Sequence, residues 1–185
     1  MRRRLALIAA VSGLALAVAG VGIWQWVAGR DPAVPTCDQL AVAVRLSMDG
    51  MWTVRRSEPV RAVSDSTVSC WFSVVSADRR FAGDVTVLLV ADTNVDELRR
   101  EVHDGPCDGE RLADLPGGRY VASKQCLEMV NGQARSGLFA ATSGRFAHVV
   151  AAFSGPSAAP SDVVDYARRV ALETADRGLG LPART

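Results

Sequence analysis

The chain has 185 residues, 49% hydrophobic and 22% charged, with a net charge of +1, which suits one domain of ordinary size. From Asp31 onward 17 Arg/Lys face 20 Asp/Glu, so this body is mildly acidic. That balance excludes a nucleic-acid footprint, which needs basic residues clustered on one face.

Arg2, Arg3 and Arg4 form a cytoplasmic basic stub (residues 1–4). In residues 5–28 only Ser12 and Gln25 are clearly polar. As a helix these residues would span roughly 36 Å, against a hydrocarbon core of about 30 Å. Trp24 and Trp26 stand at the far end, where amphipathic rings favour the headgroup layer. The expected result is one transmembrane helix, a signal anchor, whose partner is the bilayer. The arginines stay in the cytoplasm and the rest is exported, giving a single-pass protein of the cell membrane. Ala17-Val18-Ala19 supports a competing reading, cleavage near Ala19 and release of a soluble protein. Residues 29–35 are a linker too short to hold the next part far from the bilayer.

Residues 36–185 form the extracytoplasmic domain. Its four cysteines, Cys37, Cys70, Cys107 and Cys126, all follow the apolar segment and share the oxidising compartment. Three pairings are open. We favour Cys37–Cys70 and Cys107–Cys126, loops of roughly 20 to 34 residues worth about 3 to 4 kcal/mol each. No C-x-x-C pair and no neighbouring histidines suggest zinc, so no metal or cofactor is expected.

In TCDQLAVAVRLSM, Thr36 and Gln39 form a capping-box pattern that opens a helix ending near Gly50. Residues 53–66 read as an irregular loop or a weak edge strand. Residues 68–76 (VSCWFSVVS) and 84–92 (DVTVLLVAD) read as strands, the second with both faces covered. Asn94 and Glu97 open a short helix to His103. A strand is expected at 119–123, then a hairpin of 126–130 and 134–142 around Asn131-Gly132. Ser143-Gly144 leads into a strand over 145–153. Ser161 caps a last helix that Gly178 ends, with Val163, Tyr166, Val170 and Thr174 on one side. The fold class is therefore α+β, an antiparallel sheet packed against helices. Helix-then-strands occurs twice, without a convincing repeat.

P-T-C-D-Q-L opening a helix and S-C-W-F opening a strand resemble a group of small exported actinobacterial proteins, mostly lipoproteins of unknown function. The pattern is also similar to the two-disulfide extracytoplasmic sensor domains of some mycobacterial serine/threonine kinases. The resemblance covers about residues 35–178 and implies a PsbP-like sandwich and a Cys37–Cys70 bond. The chain departs from the lipoproteins by lacking a lipobox cysteine, and from the kinases by lacking a kinase domain. The resemblance transfers no catalytic residue.

The residues themselves show no nucleophile elbow, phosphate-binding loop or carboxylate pair, so no enzyme is expected. His148 reads as a half-buried histidine sharing a face with Phe146 and Val150, and His103 as a cation at a helix C-terminus. Asp104, Asp108, Glu110 and Asp114 read as a solvated acidic loop rather than a calcium site. Arg55, Arg56, Arg61, Arg79 and Arg80 read as solvated arginines, the alternative being a patch for anionic lipid or wall polymer. Trp52 and Trp71 are assigned to the core, Trp71 packed on the Cys70 disulfide. The 115–119 turn reads as a turn before a strand. The functional expectation is a non-enzymatic interaction or accessory domain at the envelope, with an envelope protein or cell-wall ligand as partner. The alternative is a sensor or binding module for a small apolar ligand, lipid or wall fragment, in a pocket lined by Trp52 and Phe139.

Overall fold

The structure is a computed structural model that describes residues 34–48, 53–59, 66–75, 79–115 and 118–182, the 53–59 stretch by its backbone. These residues belong to one compact unit, Pro32–Thr185. Residues 5–28, with Trp24 and Trp26, lie outside the described residues, as do Trp52 and Arg61. Among the described residues no helix is long and apolar enough to cross a membrane.

Helix α1 (Cys37–Leu46) begins as its capping box dictates. Thr36 Oγ1 accepts from the Gln39 amide at 3.3 Å, and Gln39 Oε1 accepts from the Thr36 amide at 2.8 Å. Leu40, Ala43 and Val44, at helical spacing, form its buried face. The helix stops at Leu46, short of Gly50, where Ser47 caps it and donates its hydroxyl to the Ala43 carbonyl at 2.8 Å.

Three antiparallel strands follow: β1 (Thr53–Pro59), β2 (Thr67–Val75) and β3 (Ala82–Ala91). The polar β1 is thus an edge strand, with a register shift between Val54 and Arg56. Helix α2 (Val95–Asp104) starts at Asn94, whose side chain accepts from the Asp96 and Glu97 amides. A second meander then runs β4 (Glu110–Arg111), β5 (Ala122–Val130), β6 (Gln133–Ala141) and β7 (Arg145–Ser154). The expected strands at 119–123 and 126–130 are one strand, β5. Lys124 and Gln125, between the two expected ranges, are buried within it. The β5–β6 turn has Asn131 at φ 51° and Gly132 at φ 77°, the paired positive angles that Asn-Gly supplies in a type I′ hairpin.

The two meanders join where β3 pairs antiparallel with β7, giving a seven-stranded sheet ordered β1-β2-β3-β7-β6-β5-β4. Helix α3 (Pro160–Gly180) closes the fold. It begins at Pro160, not after Ser161. A proline at the first helical position gives up an amide that has no intrahelical partner anyway. It also runs past Gly178, which lies against Leu40 and Leu89.

The sheet is the middle of three layers. One face carries Cys70, Phe72, Val85, Val87, Leu89, Val149 and Phe153 against α1 and α3, where Ala167, Ala171 and Ala175 allow close approach. The other face carries Phe139, Ala141 and Phe146 against Leu98 and Val102 of α2. Strand β2 alternates buried and half-buried residues, so Cys70 and Phe72 point to the larger core. Trp71, one residue on, points to the opposite face and is half-buried. It is therefore not packed on the disulfide, contrary to expectation.

Both favoured disulfides are present. Cys37–Cys70 ties the first turn of α1 to β2 with Cα atoms 5.7 Å apart. Cys107–Cys126 ties the loop after α2 to β5 at 5.6 Å.

Candidate functional site

Three segments meet beside α2: the helix itself, the loop that follows β4, and the beginning of β5. Between them lies a cleft of about 530 Å³. Arg99, Arg100 and His103 come from α2, Arg111, Asp114 and Leu115 from the β4 side, and Tyr120 to Lys124 from β5 and its approach. Val102 and Ala122 belong to the small core beneath, and Val121 is 37% exposed.

Lys124, the only lysine of the chain, is 4% exposed. Its Nζ donates to the His103 carbonyl at 2.8 Å and to the Gly105 carbonyl, and stands 4.9 Å from the centre of the Phe139 ring. The ammonium thus closes the C-terminus of α2, where unpaired carbonyls and the helix dipole attract a cation. Burial lowers its pKa, the nearby Arg111 guanidinium lowers it further, and Asp104 opposes both. Gly105 completes the joint. A side chain there would meet the Phe139 ring at 2.4 Å, so only glycine lets the chain leave α2 across that ring.

The same device recurs at α3. Arg145 Nη1 donates to the carbonyls of Leu179, at 3.4 Å, and Leu181. Burial lowers the Arg145 pKa. Asp176 accepts from Arg119 Nη1 at 2.7 Å and from the Tyr120 hydroxyl. Burial, that hydrogen bond and the Asp176 charge raise the Tyr120 pKa against the pull of Arg119. These groups anchor the approach to β5 onto α3 and thereby set one wall of the cleft.

A smaller hollow of about 150 Å³ lies on the same sheet face, lined by Asp108, Cys126, Arg135, Phe139 and His148 among others. His148 does share its face with Phe146 and Val150, and its ring stacks on Phe139 with centroids 4.0 Å apart. Burial, then the charges of Arg135 and Lys124, push its pKa down to about 4. Asp108 lies 4.0 Å from Arg135 rather than on the imidazole. His148 is therefore a neutral stacking ring at neutral pH.

That assignment fixes a pH dependence. Between pH 4 and 6.5 the unfolded chain takes up a proton on this histidine and the folded chain does not, so stability falls as pH drops through that window. His148→Phe keeps the stack and removes the proton. Urea titrations at pH 7 and pH 4.5 should show wild type losing up to about 2 kcal/mol more than the variant across the interval.

The other sequence candidates fall apart spatially. His103 is exposed beside Asp104 at 3.1 Å, and Asp114 pairs with Arg111 at 3.2 Å. Glu110 is exposed on β4. Among the described residues no group of three His, Cys, Asp or Glu could hold a metal ion. Arg79 and Arg80 are exposed in the β2–β3 turn, Arg80 within 3.9 Å of Asp162. Arg119 of the 115–119 turn serves Asp176. Phe139 is buried under α2. The cleft's own cations were missed by sequence reasoning, although a lone lysine among twenty arginines is a visible signal.

No family model matches the chain, and no curated protein matches it. Among solved structures the chain is similar to a GTP binding regulator from Thermotoga maritima, with 9% identity over 78% of this chain and 93% of that one. The TM-score is 0.38, a likeness too slight to support an inference about function.

Proposed function

We propose that the chain is a membrane-anchored extracytoplasmic interaction domain of the cell envelope, without turnover of its own. The observation that carries the reading is the pair of disulfides, which takes up all four cysteines. Such staples persist in oxidising compartments. The basic stub, the apolar residues 5–28 and the tryptophans Trp24 and Trp26 supply the anchor and its direction. Two polar groups of the cleft support a non-enzymatic role: Lys124 is committed to the end of α2 and Tyr120 to Asp176 of α3. Cleavage near Ala19 would give the same domain in released form. A second reading, a binding module for a lipid or wall fragment, is favoured by the 530 Å³ cleft, whose size is that of a small-molecule site.

Protease added to wall-stripped cells producing the full chain tests the location. Digestion of the body while a cytoplasmic marker survives is expected. Complete protection of the body until the cells are lysed would overturn the reading.

A further inference from the structure

The cleft beside α2 joins two kinds of surface. Its rim is cationic: Arg99 and Arg100 from the helix and Arg111 from the opposite side, against one lining carboxylate, Asp114. Its floor is apolar, formed by Leu115, Val121 and Ala122. The cations are tied only loosely. Arg99 pairs with Asp96 at 3.0 Å, Arg100 with Glu97, and Arg111 with Asp114 at 3.2 Å, and of these six side chains all but Glu97 are more than half exposed. Exposed pairs of this kind hold with 0 to about 1 kcal/mol. An incoming anion can therefore recruit these guanidinium groups, whose planar forks suit phosphate oxygens. Lys124 cannot leave its carbonyls, so it adds a fixed positive charge at the base. The floor distinguishes the site from one for a free anion. Val121 is 37% exposed although it adjoins the small core, leaving apolar surface for a chain to cover.

We propose that this cleft binds a single phosphate-bearing lipid, its phosphate on Arg99, Arg100 and Arg111 and the first part of an acyl chain on Leu115 and Val121. The proposal rests on the binding-module reading of the same cleft. Its test is made on purified protein, so a wrong cellular location and a wrong ligand would be told apart.

The full chain in a non-ionic detergent is titrated with phosphatidic acid, phosphatidylcholine or inorganic phosphate, and bound species are counted by native mass spectrometry. Two variants accompany it, Arg99→Ser/Arg111→Ser at the rim and Val121→Asp on the floor. Equal thermal midpoints for wild type and the rim variant establish that the fold is kept. Wild type should take up phosphatidic acid in preference to phosphatidylcholine. Both variants should bind phosphatidic acid about tenfold more weakly. Lipids around residues 5–28 are common to all three proteins and drop out of the comparison. Equal uptake by wild type and the rim variant would overturn the proposal. Full displacement of the lipid by millimolar inorganic phosphate, with Val121→Asp unaffected, would reduce the site to one for free phosphate and overturn the lipid assignment.

Discussion

Replacing Cys37 and Cys70 together by alanine should lower the unfolding free energy by about 4 kcal/mol, with the fold retained at low temperature. The bond closes a separation of 33 residues, and the chain-entropy estimate for such a loop is about 3 to 4 kcal/mol. A packing term adds to it, because Cys70 is fully buried beside Phe72 and Val87 on the large-core face. A domain of this size has only about 5 to 15 kcal/mol in total, so the variant should unfold at much lower denaturant. Guanidinium titration of wild type and variant measures the difference. A shift below 1 kcal/mol would mean that α1 stays docked on β2 without the bond and that the reduced chain is already constrained. Cys107→Ala/Cys126→Ala should act more locally. That bond closes a separation of 19 residues and holds the loop after α2 onto β5, two residues from Lys124.

Lys124→Met is the second large effect, expected at about 2 to 3 kcal/mol of destabilisation. The methionine matches the aliphatic stem and its contact with Phe139, so packing changes little. What is lost is the charged donor shared by the His103 and Gly105 carbonyls. A carbonyl left without a partner away from water costs about 1 to 3 kcal/mol, and these two lie in part-buried surroundings. Removing a desolvated charge beside Arg111 returns part of that, which is why the net figure sits below the sum. Denaturant titration gives the total. Amide exchange gives the place, since protection should fall in the last turn of α2 while α3, closed by Arg145, keeps its own. Unchanged exchange in α2 would show that the lysine does not hold the helix end.

Residues whose partners are near in sequence revealed themselves in advance. Thr36 with Gln39, Asn94 with the amides of its own first turn, and Asn131-Gly132 each determine structure within a few positions. The alternating strands were visible for the same reason. The errors fall where the deciding partner is distant. Lys124 and Gln125 fell between the two expected strands because nothing local shows that one reaches the end of α2 and the other Ser136 on β6. Strand β4 has two residues, too few for a pattern, and exists because Glu110 and Arg111 pair with Leu127 and Cys126. Trp71 was assigned to the core as a ring packed on the Cys70 disulfide, while its position next to Cys70 in a strand already implied the opposite face. The cleft was not legible at all. Its walls come from residues near 100, 112 and 122, which only the packing of α2 on β5 brings together.

We propose that an exported, disulfide-stapled domain remains attached to the membrane through residues 5–28. The direct measurement is the intact mass of the protein taken from its native membranes, alkylated with and without prior reduction. The expected polypeptide retains residues 5–28, takes up no alkyl group before reduction and takes up four afterwards. A mass beginning at Gly20, or cysteines that alkylate without reduction, would contradict it.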